Sequence, residues 1–148
     1  MSIINPLPNI YVTNDENINI QNILNNNNNI SAIISVTESS SDKVYDVDKY
    51  NMSIYKFAMN NNKINFKKTN QIIYQFLKNN KNIIIYEKNL SISFAIVAAF
   101  YFSNVNFQFF QFIYVLSKKM NMKIDNIDNL YLEQIFDFYN KHNNKAIL

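Results

Sequence analysis

The sequence predicts a single-domain α/β sandwich over residues 1–148, with a central, mostly parallel sheet flanked by helices. Short β-branched runs alternate with stretches whose apolar residues recur at helical spacing, and only helical patterns follow the last such run. The composition agrees with this fold class, because a chain of 148 residues with 48% hydrophobic and 15% aromatic content can bury one sizeable core.

The first predicted elements are a strand and a helix. Pro6 and Pro8 mark an extended start, and residues 9–12 form a predicted edge strand, since proline is tolerated mainly at sheet edges. Isoleucine and leucine at helical spacing predict a short amphipathic helix over residues 18–24. We expect it to end in the asparagine run of residues 25–29, because asparagine tolerates left-handed backbone geometry.

Two further strands and a helix are predicted before the middle of the chain. Residues 30–36 (ISAIISV) are rich in Ile and Val, as in a strand buried on both faces of a parallel sheet. Residues 38–49 are polar and are predicted to form a surface loop. Residues 52–57 alternate as a third strand, and residues 65–78 carry the apolar face of a helix.

The stretch from residue 82 to residue 102 predicts a buried strand, a polar turn and a buried helix. Ile83–Tyr86 is too short and too apolar for anything but a strand, and Glu87–Asn89 is the turn. Ser91 or Ser93 is the predicted cap of the helix that carries the small apolar residues 94–102. Such a helix start is the usual place for an anion cradle, because its N–H groups are free and its potential is positive.

Two helical patterns complete the chain. Apolar residues recur at helical spacing from Phe107 up to Lys118 and Lys119, whose charges suit the C-terminus of a helix. Residues 129–139 predict a final helix. The order of strands alternating with helices, followed by helices alone, is typical of an α/β sandwich.

The stretch of residues 82–102 resembles the signature loop of the cysteine-dependent dual-specificity phosphatases. In that family an apolar strand ends in His-Cys, five loop residues follow, and an Arg opens a helix of small residues. In this alignment Tyr86 stands at the His, Glu87 at the nucleophilic Cys and Ser93 at the Arg. The resemblance therefore implies a vestigial phosphate loop, formed by Glu87, Lys88, Asn89, Leu90, Ser91, Ile92 and Ser93.

The resemblance extends from about residue 9 to residue 139, and its order and spacing are most similar to those of poxvirus members of the family. Asn60, with Asn61 as the neighbouring candidate, stands where the family carries the Asp that protonates the leaving oxygen. The last helix follows the family's pattern of an aromatic residue, Tyr131, then Gln134 three positions later, then two apolar residues and an acid.

The groups that react in the family are missing from this chain. It has no cysteine, its 14 Lys+Arg residues are all lysine, and it has no glycine to bring loop amides close to a phosphate. Ser93 cannot make the two-pronged contact of a guanidinium, and Glu87 would repel a phosphate dianion. The resemblance thus implies an inactive pseudophosphatase without cofactor or metal, which binds a protein partner, in phosphorylated form or not.

Two other functions remain open. One is a residual enzyme that uses Glu87 as base or nucleophile on a substrate other than a phosphoester. The other is a structural protein that self-associates through an aromatic surface. The Glu87 side chain has two arrangements that we weigh equally: it accepts N–H bonds from its own loop, or it points to solvent.

Charge and composition exclude several classes of protein. The net charge of +3 and the pI of about 9.0 come from lysines spread along the chain, whereas nucleic-acid surfaces need clustered cations beside stacking groups. The absence of cysteine excludes disulfides. No run is apolar for long enough to cross a membrane, and residues 1–10 lack a secretory pattern. We therefore expect an intracellular, cytoplasmic protein, of the host cell if the chain is viral.

Several polar residues that suggest chemistry have simpler structural explanations. His142, the one histidine, is predicted to be exposed. Asp125 and Asp128 fit a turn and a helix start better than a metal site. Glu133 and Asp137 lie one helical turn apart and are predicted to form a solvated stripe rather than a catalytic pair.

The aromatic cluster of residues 107–112 is predicted to be core rather than a ligand pocket. Phe109 and Tyr114 fall on different faces of the predicted helix. They are therefore the candidates for an exposed aromatic site that meets a partner.

Overall fold

The computed structural model describes residues 3–14, 30–39, 41–47 and 52–147. The predicted helix over residues 18–24 and the turn over residues 25–29 lie outside these ranges. The described strands are β1 Ile4–Leu7, β2 Ile10–Thr13, β3 Ile30–Thr37, β4 Lys43–Val47, β5 Met52–Ala58 and β6 Asn82–Tyr86.

These strands form one mixed sheet in the order β1-β2-β6-β3-β5-β4. The four inner strands run parallel, and β1 and β4 are antiparallel edges. In the middle of the sheet, Ile84 lies in register with Tyr11 on one side and Ile33 on the other. The α/β sandwich with a mostly parallel sheet is therefore confirmed, and β6 lies near its centre.

Two predictions about the sheet edges are wrong. Residues 9–12 are not an edge strand, because β2 lies between β1 and β6, and the edge is β1, which contains Pro6. Asn9 has a φ of 69° and lets the chain turn back from β1 into β2. Residues 38–49 are not all loop, because β4 pairs with β5. Val44 and Tyr45 are both exposed on this edge strand, so its sequence does not show the alternation of buried apolar and exposed polar residues that identifies a strand.

The described helices lie where sequence patterns predict them. They are α1 Phe66–Leu77, α2 Leu90–Asn104, α3 Phe109–Lys119 and α4 Asn129–Ile147, with a short 3₁₀ helix at Ile124–Asn126. The side chain of Asn65 caps α1 by accepting a hydrogen bond from the N–H of Lys68 at 3.2 Å. Helix α4 continues well beyond the predicted end at Tyr139.

The core lies between one face of the sheet and the four helices. Ile83 and Ile85 of β6 belong to this large cluster, while Ile84 points to a smaller cluster with Ile30 and Met52 on the other face. Helix α2 buries 11 of its 15 residues, as a helix that is apolar all round must. None of the helices that the structure describes combines the length and apolarity needed to cross a membrane.

The chain makes its left-handed turns with asparagine. It contains no glycine, the residue that usually takes positive φ, and every described residue with positive φ is an asparagine. These residues follow helices or form tight turns, at Asn9, Asn61, Asn62, Asn80 and Asn121. Part of the asparagine content therefore has a structural use.

Candidate functional site

A pocket of about 810 Å³ opens at the carboxyl ends of three parallel strands, β2, β3 and β6. Such ends are where ligands bind in open α/β sheets. The floor of the pocket is apolar and includes Ile33, Ile54 and Ile84. It lies on the face of the sheet that carries the smaller core cluster. Its mouth is polar and includes Glu87, Lys88 and three hydroxyl side chains, those of Thr13, Ser35 and Thr37.

Glu87 joins the ends of these three strands. Its N–H donates to the carbonyl of Thr13 on β2 at 3.2 Å, and its Oε1 accepts from the N–H of Val36 on β3 at 2.6 Å. The carboxylate therefore binds the neighbouring strand, which differs from both predicted arrangements, since it is part-buried and its bonded amide lies outside the loop. Burial raises the pKa of Glu87 to about 7, although the bond from Val36 opposes this shift.

The loop after Glu87 is shorter than the resemblance implies. Helix α2 begins at Leu90, before the start that a cap at either Ser91 or Ser93 predicts. Its cap is Asn89, whose Oδ1 accepts from the N–H of Ser91 at 2.9 Å, so the prediction of a serine cap is wrong. The carbonyl of Asn89 accepts from the N–H of Ile92 at 3.0 Å. Two loop amides, those of Ser91 and Ile92, are thus bonded within the first helical turn rather than free to face an anion.

The two serines of this turn are both buried but differ in their hydrogen bonds. The Oγ of Ser91 accepts from the N–H of Asp128 at 2.9 Å and so ties α2 to the start of α4. Ser93 is 0% exposed, and within the described part of the chain its Oγ has no hydrogen-bond partner. The position aligned with the family's Arg therefore faces the packed interior rather than the pocket mouth.

Carboxylates gather around this end of the sheet. Tyr131 of α4 is buried, and its pKa is raised by burial first and then by the charges of Asp128, Glu38 and Glu87. Glu38 and Glu87 both line the pocket, together with Lys56 and Lys88. The site therefore combines acidic and basic groups instead of presenting uniform positive charge to an anion.

Asn60 and Asn61 are exposed in the turn after β5. Asn60 pairs with Lys63, its N–H donating to the Lys63 carbonyl at 3.3 Å and its carbonyl accepting from the Lys63 N–H at 2.9 Å. Asn60 lines a different pocket of about 530 Å³, so the structure does not bring it into the pocket that Glu87 lines.

Gln134 holds this turn in place. Its Oε1 accepts from the N–H of Ile64 at 2.9 Å, and its Nε2 donates to the carbonyl of Asn62 at 2.7 Å. The glutamine that the resemblance singled out in the last helix is thus a clamp between α4 and the turn that follows β5.

Asp42 is a residue that sequence reasoning missed. Its Oδ1 accepts from the N–H of Ala58 at 2.6 Å, and its Oδ2 pairs with Nζ of Lys68 at 2.5 Å. The hydrogen bond from Lys68 is the main cause of its lowered pKa, and the bond from Ala58 adds to it. Asp42 lies within the stretch predicted as loop, and the sequence has no signal that pairs it with residues 16 and 26 positions away.

The other polar candidates lie as predicted. His142 is exposed, Asp125 is in the 3₁₀ helix, and Asp128 immediately precedes α4, where its Oδ1 accepts a backbone N–H at 3.0 Å. Glu133 and Asp137 are exposed on α4. Among the described residues, no group of three or more His, Cys, Asp or Glu side chains could hold a metal ion.

The aromatic cluster needs one correction. Phe109, one candidate for an exposed aromatic site, is instead buried against Phe102, Phe136 and Tyr139, with ring centroids 5.6, 5.0 and 5.3 Å away. The exposed ring is that of Phe110, at 69%, while Tyr114 is exposed as predicted.

Known proteins resemble this chain in structure but not in sequence. No protein-family model and no curated protein matches it. A mouse putative dual specificity phosphatase, solved in complex with zinc tungstate, is similar with a TM-score of 0.73 at 12% identity, over 99% of this chain and 91% of that one. The structure of DUSP15 is similar with a TM-score of 0.62 at 14% identity, over 96% and 95%. The chain therefore has the dual specificity phosphatase fold.

Proposed function

We propose that this chain is a catalytically inactive, dual-specificity-phosphatase-like protein, similar to poxvirus members, which binds a protein partner inside the cell instead of hydrolysing phosphoesters. The observation that carries the proposal is the Glu87 carboxylate. It occupies the position after the central strand and is bonded to Val36 of the adjacent strand. The partner would use the pocket that Glu87 lines.

Charge argues against a phosphate ligand in this pocket. A dianion about 4 Å from an ionised carboxylate meets a repulsion of about 4 kcal/mol per charge pair at an effective dielectric constant of 20. Glu38 lines the pocket, and so does Glu87, which opposes an anion in its ionised form, about half of the population at pH 7. Lys56 and Lys88 supply point charges but no bidentate fork.

Backbone geometry supports the same proposal. Oxyanion binding needs several N–H groups that converge on one point without a competing acceptor. Here the amide of Ser91 is taken by Asn89, and that of Val36 by Glu87. No cysteine is present anywhere in the chain to supply a thiolate.

The catalytic half of the proposal is tested with 4-nitrophenyl phosphate and with tungstate, the anion bound in the mouse structure. We expect no hydrolysis above buffer and no saturable tungstate binding by calorimetry. Hydrolysis that Glu87→Ala abolishes would refute the proposal, because it would show that the carboxylate supports turnover.

The binding half is tested by capture from cell extracts with matched variants. Lys56 lines the pocket, whereas Lys43, its neighbour across β4 and β5, does not. We expect Lys56→Glu to lose proteins that the unmodified chain and Lys43→Glu retain. Treating the extract with a phosphatase beforehand should leave capture unchanged, and a loss would contradict the argument from charge.

One observation favours a second candidate function. The pKa of Glu87 is raised to about 7 in a partly apolar pocket, as suits a general acid or base near neutral pH. An enzyme of this kind would act on a substrate other than a phosphoester. Turnover of carboxylic esters or glycosides that follows the ionisation of Glu87 and is lost in Glu87→Gln would favour it over a binding protein.

A further inference from the structure

A further concave surface, distinct from the pockets of Glu87 and Asn60, lies between α3 and α4. This groove has a volume of about 550 Å³, and its walls come from α3 on one side and α4 on the other, with Ile124 of the 3₁₀ helix also lining it. Phe109 of α3 and Phe136 of α4 are in contact across it, with ring centroids 5.0 Å apart. The groove shares no lining residue with the Glu87 pocket, so an inference about it stands apart from the proposed function there.

The groove is apolar and rimmed by large exposed side chains. Phe110 is 69% exposed, Tyr114 54% and Phe136 42%. Exposed apolar residues that occur singly need no explanation, but several that line one concavity mark an interaction site. A groove between two helices also has the shape that receives an amphipathic helix in many complexes.

The charge of the rim is one-sided. Glu133 and Asp137 both line the groove, lie one helical turn apart on α4 and are exposed. They form an acidic edge on a chain whose net charge is +3. An occupant that buries its apolar side against the rings must therefore bring cations to the α4 side.

The aromatic wall favours arginine among the cations. Nζ of Lys118 already lies 5.3 Å from the ring centroid of Tyr114, which shows that ring faces on α3 accept a cation. A guanidinium can stack on an exposed ring such as that of Phe110 while forking onto a carboxylate. An ammonium group can do only one of these at a time.

The same acidic edge argues against two other occupants. In a two-fold dimer whose axis passed beside the acidic edge, the acidic pairs of Glu133 and Asp137 would approach each other. An anionic lipid surface would be repelled by the same carboxylates.

We propose that the groove between α3 and α4 binds an amphipathic helical segment of another protein. That segment carries one large apolar side chain, which packs between Phe110 and Phe136, and an arginine within one turn of it, which pairs with Glu133 or Asp137. The interaction is separate from any binding at the Glu87 pocket.

A displayed library of 16-residue helical segments tests this proposal. The segments share an alanine-rich frame, and the positions of one face are randomised; selection is carried out on the folded full-length chain. We expect enriched segments to combine a large apolar residue with arginine one turn away. Backbone amide shifts of the labelled chain should change along α3 and α4 when a synthetic copy of an enriched segment is added.

Matched variants decide whether the groove is responsible. Phe110→Asp should weaken binding by on the order of thirtyfold, as expected for a central anchor contact. The double change Glu133→Lys and Asp137→Lys should weaken it by about tenfold and favour segments in which glutamate replaces arginine. Tyr74→Asp, at a ring on α1 that is 54% exposed, should leave affinity unchanged.

Several results would overturn the proposal. They are the absence of enrichment, enrichment of acidic or uncharged segments, and affinity that survives Phe110→Asp. Concentration-dependent dimerisation lost in Phe110→Asp would assign the groove to a second copy of the chain. Binding to vesicles that contain phosphatidylserine, lost in the same variant, would assign it to a membrane surface.

Discussion

Replacing Glu87 with glutamine should make the protein more stable at alkaline pH and leave it almost unchanged at acidic pH. Glutamine has nearly the same shape, and its Oε1 can keep the bond from the N–H of Val36. The substitution therefore removes the titration of one buried group without removing its contact. It tests whether the part-buried position of this carboxylate, at the ends of three strands, controls the stability of the fold.

The direction and size of the effect follow from proton linkage. Burial raises the pKa of Glu87 from its ordinary 4.5 to about 7, so between these values the folded chain holds more protons than the unfolded chain. Stability contributed by this group is complete below pH 4.5 and is lost as the pH rises through 7. The difference corresponds to roughly 3 kcal/mol, a large part of the 5–15 kcal/mol typical of a domain.

Urea unfolding followed by circular dichroism at pH 4.5, 6 and 8 measures this difference. We expect the Gln variant to match the original chain at pH 4.5 and to exceed it by roughly 3 kcal/mol at pH 8. Glu133→Gln, at an exposed position, is the control and should differ by less than about 0.5 kcal/mol throughout. A difference for Glu87→Gln that stays constant with pH would refute the reasoning.

Three further predictions concern the same end of the molecule. Ser91→Ala should lower the free energy of unfolding in urea by about 1–2 kcal/mol, because it leaves the N–H of Asp128 without its acceptor. Ser93→Ala should be neutral or stabilising by about 1 kcal/mol, because it removes a buried hydroxyl group that has no partner. The reverse order would contradict the hydrogen bonds described. The combined changes Glu87→Cys, Ser93→Arg and Asn60→Asp should not yield hydrolysis of 4-nitrophenyl phosphate, because Ser93 is 0% exposed; measurable turnover would show that the loop can reopen. Asp42→Asn should lower the free energy of unfolding by about 1 kcal/mol at pH 6 and by much less at pH 3. The pKa of Asp42 is lowered from its ordinary 3.8, so its contribution to stability is present above pH 3.8 and is lost as the pH falls below that value. Equal losses at both pH values would count against the ion pair.

The inner strands could be predicted from sequence because burial on both faces leaves a dense run of Ile and Val. Residues 30–36 and 83–86 fall within β3 and β6 for this reason, whereas residues 52–57, which fall within β5, were predicted from the alternation of their side chains. Strand β4 was missed because an edge strand is stabilised by its hydrogen bonds to β5, while the side chains of residues 43–46 stay exposed and need not be apolar. Strand β1 was missed for the same reason, since the local pattern of apolar residues does not show which strand lies at the edge of a sheet.

The same distinction applies to the candidate site, where local features could be predicted from sequence and long-range contacts could not. Comparison with the family's signature located Glu87 correctly at the end of the central strand, and that strand is the strongest local signal in the chain. The start of α2 was misplaced because the family frame treats Lys88–Ile92 as loop, although Asn89 is itself a favourable cap. The partner of the Glu87 carboxylate, Val36, lies 51 positions away and is brought near only by the pairing of β3 with β6.

The sequence alone determined that this chain folds as an α/β sandwich and that it has no thiol or guanidinium, because these depend on residue types and their spacing. The tertiary structure decided where side chains of neighbouring positions point. Phe109 and Phe110 are adjacent in sequence and differ by about 100° around the helix, so only the packing of α3 against α4 makes the first core and the second surface. In the same way, only the meeting of three strand ends raises the pKa of Glu87 by enclosing its carboxyl group.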